Sequence, residues 1–288
     1  MRTHSTRGTA TWRVAALCLA GTTALALTSC TAGGGGSTDA PSAGAAQQQT
    51  PHAQPQTDRV TQANFADTIA ASQKTITSMH MDVTYSGAMF EDTGMSGAPV
   101  SIDINLAGAT PLMHTTGSML GSELDMILVD GEMYLGMGAS GDGKYLHMSA
   151  ADLAADQEFS GMADSFKANT DLGAQAKGFA AGITSFKETG TDVVDGKDVT
   201  LYTMTADPSK ITGDAAGIDP TMLAQVGDLT VVYALDKDNV PLKVDVTMDI
   251  TGKTMNVTSV ASKINEPVTI TAPPADQVVE YADMMAAG

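Results

Sequence analysis

The stretch Leu229–Ile250, LTVVYALDKDNVPLKVDVTMDI, decides the fold, because its side chains alternate between apolar and polar over much of its length. Two alternating runs flank the turn Lys237–Asn239, and in the second run Lys243 and Asp245 fall on the face opposite Val244. This period of two is typical of a strand with one buried face. Antiparallel sheets tolerate one face in water, whereas parallel sheets are usually covered on both. The stretch therefore predicts an antiparallel sheet with one apolar and one polar face.

The same alternation recurs along most of the chain. Asp130-Gly131 lies between two alternating runs and is a strong hairpin signal. The other predicted strands are Met79–Ser86, Val100–Leu106, Leu124–Leu128, Met133–Met137, Lys144–Met148, Thr200–Thr205 and Met255–Val257.

Four helices are predicted from apolar spacing and Pro placement. Phe179, Ile183 and Phe186 lie at i, i+4 and i+7, which indicates one helix face. The predicted helices are Asn64–Ser78, Ser149 to about Asn169, Leu172–Phe186 and Pro220–Val226. We expect them to cover the apolar face of the sheet in a single α+β domain.

The first 29 residues are typical of a secretory signal, with a basic start and an apolar middle. Leu27-Thr28-Ser29-Cys30 resembles a bacterial lipobox, in which the cysteine becomes the acylated N-terminus. The alternative is an ordinary signal peptide with a chance cysteine. Removal of residues 1–29 also removes Cys18 and three arginines, so Cys30 is the only cysteine left and the net charge changes from −18 to −21.

Residues 30–59 are predicted to be a flexible tether. They are rich in Gly, Ser, Thr, Pro and Gln, a composition that buries too little apolar surface to fold. A coil of this length spans roughly 30 Å. Residues 60–288 are then the predicted ligand-binding domain.

The acidic composition, with a pI near 4.3, argues against nucleic acid as a partner. Few motifs in the sequence indicate catalysis, nucleotide binding or metal binding. Gly138–Lys144 matches most of a phosphate-binding loop, but Tyr145 replaces the Ser or Thr and a strand follows. His80, His114 and His147 occur singly in strands, as surface histidines do. We therefore expect no enzyme activity, no metal and no cofactor. A catalytic pair of carboxylates remains as an alternative, because acidic residues are plentiful.

Methionine is the unusual component, with 18 residues in the chain. One interpretation is ordinary core packing. The other is an adaptable cavity wall, because methionine is flexible and polarizable. Composition alone does not separate them.

Several stretches resemble the actinobacterial LppX/LprG-type lipoproteins. They are the closing segment NEPVTITAPPAD at Asn265–Asp276, the strand-to-helix junction GKYLHMSAADL at Gly143–Leu153, and the early helix followed by Met79–Ser86. The resemblance extends over roughly Ala63 to Met285.

This resemblance implies a strongly curved antiparallel half-barrel, similar to the lipoprotein carriers LolA and LolB. Helices would lie on its concave face and enclose an apolar cavity for acyl chains. Family members bind envelope lipids and lipoglycans without covalent chemistry. The candidate cavity residues are Met81, Val83, Ile102, Ile104, Met126, Leu128, Met133, Leu135, Phe166, Phe179, Ile183, Val231, Tyr233, Val244, Val246 and Met248.

The preferred hypothesis is a lipoprotein anchored through acylated Cys30 to the outer face of the cytoplasmic membrane. It would bind multi-acyl lipids or lipoglycans and assist their transfer in the cell envelope, with a membrane transporter as a further partner. The alternative is a non-carrying envelope module that docks a transporter or sensor. A third hypothesis, an enzyme acting on envelope lipids, requires a polar constellation at the cavity mouth.

Overall fold

The computed structural model describes residues 59–90, 97–119, 122–155, 172–212 and 225–287. Its strands form one open twelve-stranded sheet in the order β12-β6-β5-β4-β3-β2-β1-β11-β10-β9-β8-β7. All neighbours are antiparallel except β12, which runs parallel to β6. The predicted single antiparallel sheet is thus confirmed except at this edge.

The strands are β1 Ser78–Ser86, β2 Pro99–Asn105, β3 Leu112–Met119, β4 Ser122–Val129, β5 Glu132–Gly136, β6 Tyr145–Met148, β7 Ile183–Val194, β8 Lys197–Ala206, β9 Val226–Leu235, β10 Pro241–Ile250, β11 Lys253–Ser262 and β12 Val278–Glu280. The helices are α1 Phe65–Gln73, α2 Ala150–Ala155, α3 Leu172–Ala180 and α4 Tyr281–Ala287.

Three hairpins close with two-residue turns in which both residues have positive φ. The turns are Asp130-Gly131 (55° and 82°), Asp195-Gly196 (49° and 72°) and Thr251-Gly252 (54° and 81°). Turns of this kind match the twist of the flanking strands and favour Asp-Gly. They fix the register of β4 with β5, β7 with β8, and β10 with β11.

The face of the sheet that carries Met81, Val231 and Met248 holds the main core, and we call it the inner face. Its buried side chains come from β1, β2 and β3 and from β8 through β11, and they form one continuous cluster. Helices α1 and α3 pack against each other, and Phe65 and Phe179 attach them to a second cluster at the β7–β9 end of the same face. Among the described residues, α1 and α3 therefore cover only part of the inner face.

The predicted helix Leu172–Phe186 is wrong in its second half. Helix α3 ends at Ala180, and Ile183 begins β7. A bulge at Thr184 shifts the pairing with β8, so that Ile183 lies opposite Ala206 and Phe186 opposite Met204. Ile183 and Phe186 therefore share the inner face. The bulge places two residues three positions apart on the same side of a strand, which is the spacing expected of a helix.

The predicted helix Asn64–Ser78 is shorter in the structure, and the other two predictions are tested only in part. Helix α1 ends at Gln73, five residues before β1, and Val226 opens β9. The segment predicted from Ser149 is helical at Ala150–Ala155. Its remainder at 156–169, and residues 220–224 of the short helix, lie outside the described residues.

The opposite, outer face is not wholly in water as the alternation predicted. The segment Glu266–Gln277, which we call the C-terminal strap, crosses it between β11 and β12. Asn105 Nδ2 donates a hydrogen bond of 2.8 Å to the Val268 carbonyl. Ile270 is 8% exposed and packs with Ile127 and Tyr134. The strap gives the outer face a small apolar core of its own.

Candidate apolar ligand pocket

Helix α1 is attached to the inner face by the buried side chains Phe65 and Ile69, which belong to one apolar cluster. Phe65 is 1% exposed, and its ring centroid lies 5.1 Å from that of Tyr233 and 5.7 Å from that of Phe186. Edge-on and tilted aromatic pairs at this distance are favourable beyond the area that they bury. This contact places the C-terminal end of α1 over β1, β9, β10 and β11.

A pocket of about 140 Å³ lies between the end of α1 and these four strands. Most of its lining is aliphatic or methionine, with a few polar residues and Tyr233 at the wall. The lining residues are Gln73, Ile76, Met79, Met81, Tyr233, Pro241, Leu242, Lys243, Val244, Val246, Val257, Ser259, Ala261 and Ile264.

The pocket coincides with a gap in the packing of β10. Leu242 and Met248, on the inner face of this strand, are each 1% exposed. Val244 and Val246, which lie between them on the same face, are only half-buried. The strand is thus covered at both ends and accessible in its middle, where apolar side chains meet the pocket.

One polar atom at the pocket has no partner. Gln73 is the last residue of α1, and its Oε1 atom is buried without a hydrogen-bond partner among the described residues. An unmet buried acceptor costs about 1–3 kcal/mol. This atom is enclosed by protein atoms and is not open to the pocket.

The other polar groups at the wall leave the pocket uncharged at neutral pH. Burial alone raises the pKa of Tyr233 to about 12, so its hydroxyl stays protonated. The Lys243 ammonium is 2.9 Å from an Asp245 carboxylate oxygen and forms an ion pair with it. Among the described lining residues, no cation is left unpaired for a carboxylate ligand.

The structure brings four of the candidate cavity residues to the pocket: Met81, Tyr233, Val244 and Val246. Five more are buried in the main core: Val83, Ile102, Ile104, Val231 and Met248. Met126, Leu128 and Phe179 pack at the margin of that core. Met133 and Leu135 belong to a separate cluster with Met148, and Ile183 packs in the cluster of Phe65. Phe166 and Cys30 lie outside the described residues.

Several lining residues were not among the candidates from the sequence. Met79, Val257 and Ala261 lie on the same face of their strands as the candidates, so the alternation was sufficient to find them. Gln73 and Ile264 lie outside the strands, at the end of α1 and after β11. No alternation reaches them, because only the packing of α1 on the sheet places them at the pocket.

The three strand histidines lie on the outer face, and each is paired with a carboxylate. His80 Nδ1 is 2.7 Å from Asp103 Oδ1, and His114 Nε2 is 2.9 Å from Asp125 Oδ1. His147 Nδ1 is 2.8 Å from Glu280 Oε2. Cross-strand pairing aligns them in one row, His80–Asp103–His114–Ile127–Tyr134–His147–Glu280. Pairs at a solvent-accessible face contribute about 0–1 kcal/mol each, so these half-buried pairs are a minor support for the sheet.

Within the described part of the chain, no three side chains of the metal-binding types are grouped closely enough to hold a metal ion. In the same part, none of the helices has the length and apolar character that crossing a membrane requires.

Two tyrosines are expected to titrate near pH 12. The hydrogen bond that the Tyr145 hydroxyl donates to Asp125 raises the pKa of Tyr145 to about 12, and burial does the same for Tyr233. Both values lie above the ordinary 10.0, so the contribution of these two tyrosines to the free energy of unfolding is constant below pH 10 and falls as the pH rises toward 12. Tyr145→Phe and Tyr233→Phe should each make this fall shallower and remove one high-pH step from the tyrosinate absorbance. Unchanged curves in both variants would contradict the assignment.

No family model matches the sequence, and no curated protein matches it. Three solved structures are similar in fold. Lipoprotein LppX of Mycobacterium tuberculosis has a TM-score of 0.47 and 13% identity over 71% of this chain and 95% of its own. LprF of Mycobacterium bovis has a TM-score of 0.47 and 18% identity over 74% and 97%. A chain of the Pseudomonas aeruginosa MucA/MucB complex has a TM-score of 0.35 and 15% identity over 75% and 59%.

Proposed function

We propose that this chain is a membrane-anchored envelope lipoprotein that binds an acyl chain of a lipid in its inner-face pocket. The observation that carries the proposal is the gap over the middle of β10, where Val244 and Val246 stay half-buried beside Met81 under the end of α1. Apolar side chains left accessible beside buried ones on a core face mark a place for an apolar ligand.

The size of the pocket sets how much of a lipid it takes. An engineered apolar cavity of about 150 Å³ accepts a benzene-sized molecule, so about six carbons fit into a pocket of about 140 Å³. Burial of about six methylene groups contributes roughly 5 kcal/mol before the costs of association. The pocket therefore takes the end of one chain, and the head group and any further chains lie outside it.

The sequence supports the proposed membrane anchor, the tether and the class of ligand. Acylation of Cys30 would hold the domain at the outer face of the cytoplasmic membrane, and residues 30–59 would let it reach lipids there. A multi-acyl lipid or lipoglycan is then the expected ligand, and shielding of a tail from water is how the protein would assist transfer. Binding and shielding the lipid tail would require no covalent chemistry by this protein.

One observation favours a second function. About 140 Å³ is below the 300–1,000 Å³ that is usual for ligand pockets. A module that docks a transporter or sensor needs no cavity, and its acidic surface would serve as the contact. The experiment on the pocket separates the two functions.

The proposal predicts where a lipid attaches. A monoacylglycerol analogue that carries a diazirine within the last six or so carbons of its acyl chain is photolysed with the full chain bearing Cys30→Ser, which cannot be acylated. We expect peptide mass spectrometry to find adducts on the segments that contain Met79 and Met81 and on Val244–Val246. These segments line the pocket.

The outer face supplies the control for this experiment. Adducts on the C-terminal strap or on the outer-face side chains Thr247 and Asp249, which do not line the pocket, would indicate non-specific attachment. A protein that gives no pocket adducts, and that binds no lipid in native mass spectrometry, would contradict lipid binding and favour the docking module.

A further inference from the structure

Strand β7 ends the sheet, so one of its two backbone edges is open among the described residues. All residues of Lys187–Val193 are exposed, and Val193 is 59% exposed although it is apolar. A long open edge is a template for another strand, and proteins usually blunt such edges with charges, bulges or a covering segment. Strand β7 carries opposite charges and a bulge, and their spacing determines which strand fits it.

The bulge brings two opposite charges to one face of β7. It lies at Thr189 and shifts the pairing with β8 by one residue. Lys187, before the bulge, lies opposite Thr203, and Asp192, after it, lies opposite Val199. Thr203 and Val199 are four positions apart in an unbulged stretch of β8 and therefore lie on the same face. Lys187 and Asp192 thus share the outer face, although they are five positions apart along the chain.

Every second pair of β7 with β8 leaves the backbone groups of β7 at the open edge. Val194 and Lys197 close a two-residue turn as a hydrogen-bonded pair, so the next pair, Val193 with Asp198, is a non-hydrogen-bonded one. The Val193 N–H donates instead to Asp192 Oδ1 over 2.8 Å. The residues of β7 that lie opposite alternate residues of β8 share this outward direction, and they are Phe186, Glu188, Thr191 and Val193.

We propose that β7 pairs with β7 of a second copy of this chain, antiparallel about a two-fold axis at Thr189-Gly190, and forms a symmetric dimer. In this register Lys187 lies opposite Asp192 of the second copy, and the same ion pair recurs at the other end of the interface. The Val193 N–H bonds the second copy in the dimer, which releases the Asp192 carboxylate for this ion pair.

The same register suits the other residues of the edge. Phe186 and Val193 face each other across the interface on the inner face, so the exposed valine gains an apolar neighbour. Glu188 faces Thr191, and its carboxylate already forms an ion pair of 3.1 Å with Arg59. The residues with outward backbone groups therefore pair with one another, as an antiparallel ladder requires.

Neighbouring registers lack this fit. A shift by one residue places inner-face side chains opposite outer-face ones. A shift by two residues places Lys187 opposite Gly190 or Val194, neither of which carries a charge. The strand that complements β7 is thus β7 itself, which identifies the partner as a second copy. No residue of β7 lines the inner-face pocket, so this inference goes beyond the proposed function.

Sedimentation equilibrium of the full chain bearing Cys30→Ser tests the dimer. We expect reversible dimerisation with a dissociation constant of about 100 μM or below, in the range of a small interface. Lys187→Asp and Asp192→Lys should each weaken it at least about 100-fold, because like charges then face each other at both ends. Both side chains are exposed, so the melting temperatures should change little.

A mixture of the two single variants is the decisive sample. One copy is then acidic at positions 187 and 192 and the other is basic at both, so every facing pair has opposite charges. We expect the equimolar mixture to regain the dimer to within about tenfold of the original affinity. The double variant Lys187→Asp/Asp192→Lys, which exchanges the two charges, should do the same.

Amide hydrogen exchange tests the edge itself. Exchange should slow at Phe186, Glu188, Thr191 and Val193 as the protein concentration is raised through the dissociation constant, because these amides gain partners in the dimer. Slow exchange at these amides at every concentration would mean that a segment of the same chain covers the edge, and would overturn the proposal.

Three sedimentation results would also overturn it. They are a chain that stays monomeric up to about 1 mM, a dimer that neither single substitution weakens, and a dimer that neither the mixture nor the double variant restores. Lipid attachment in the photoreactive experiment does not depend on β7, so loss of the dimer leaves the proposed function in place.

Discussion

Val246→Trp is expected to reduce acyl-chain affinity at least about 100-fold, which corresponds to roughly 2.7 kcal/mol. Val246 is half-buried on the inner face of β10 and lines the pocket. An indole at this position extends into the space that the ligand would occupy. The fold should tolerate it, because the added atoms enter an opening rather than a filled core. The loss of affinity is measured by NMR of labelled methionine methyl groups, since Met79 and Met81 line the pocket, and with the photoreactive lipid.

Thr247→Trp is the matched control for this substitution. Thr247 is the next residue of the same strand, exposed on the outer face, and its hydroxyl donates to Asn256 Oδ1. The substitution Thr247→Trp introduces the same indole into β10, but on the face that points away from the pocket. We expect its lipid affinity to match that of the unsubstituted protein. Equal affinity in both variants would mean that the lipid binds elsewhere.

Phe65→Ala is expected to lower the free energy of unfolding by about 3–5 kcal/mol, the largest effect of any single truncation considered. Phe65 is 1% exposed and contacts both Phe186 and Tyr233. Its loss leaves a cavity at the point where α1 is attached to the sheet. Because Phe65 also encloses Tyr233, the pKa of Tyr233 should fall from about 12 toward its ordinary value.

The measurement combines denaturant unfolding with amide hydrogen exchange. Exchange should speed up most in Phe65–Gln73, the residues of α1. Phe65→Leu keeps much of the apolar volume and should cost clearly less, within about 2 kcal/mol. A loss below about 1 kcal/mol for Phe65→Ala would show that α1 is held by other contacts.

The strands that alternate cleanly could be predicted from the sequence, and those that do not could not. β3 is the clearest omission: its inner face carries Met113 and then Thr115, which is 4% exposed although polar. Gly117 is the next inner-face residue of β3. Met113 is therefore the only apolar side chain among these three inner-face positions, and the alternation of apolar and polar residues is lost. Pairing with β2 and β4, and not local preference, makes this segment a strand.

The same limit applies to the face of a residue. Ile183 and Phe186 are three residues apart, which favours a helix, but a bulge in β7 places both on one face of the sheet. The C-terminal strap likewise covers part of a face that alternation assigns to water, because a loop that crosses a sheet leaves no mark on the strands beneath it.

The sequence by itself determined the alternating strands and the hairpin turn at Asp130-Gly131, because these depend on residues two to four positions apart. It also placed Met81, Tyr233, Val244 and Val246 on the apolar face. Only the tertiary structure decided which apolar side chains remain accessible. The packing of α1 through Phe65 leaves the middle of β10 open and brings Gln73 to its edge. Accessibility depends on which distant segment covers a face, and no local spacing encodes that.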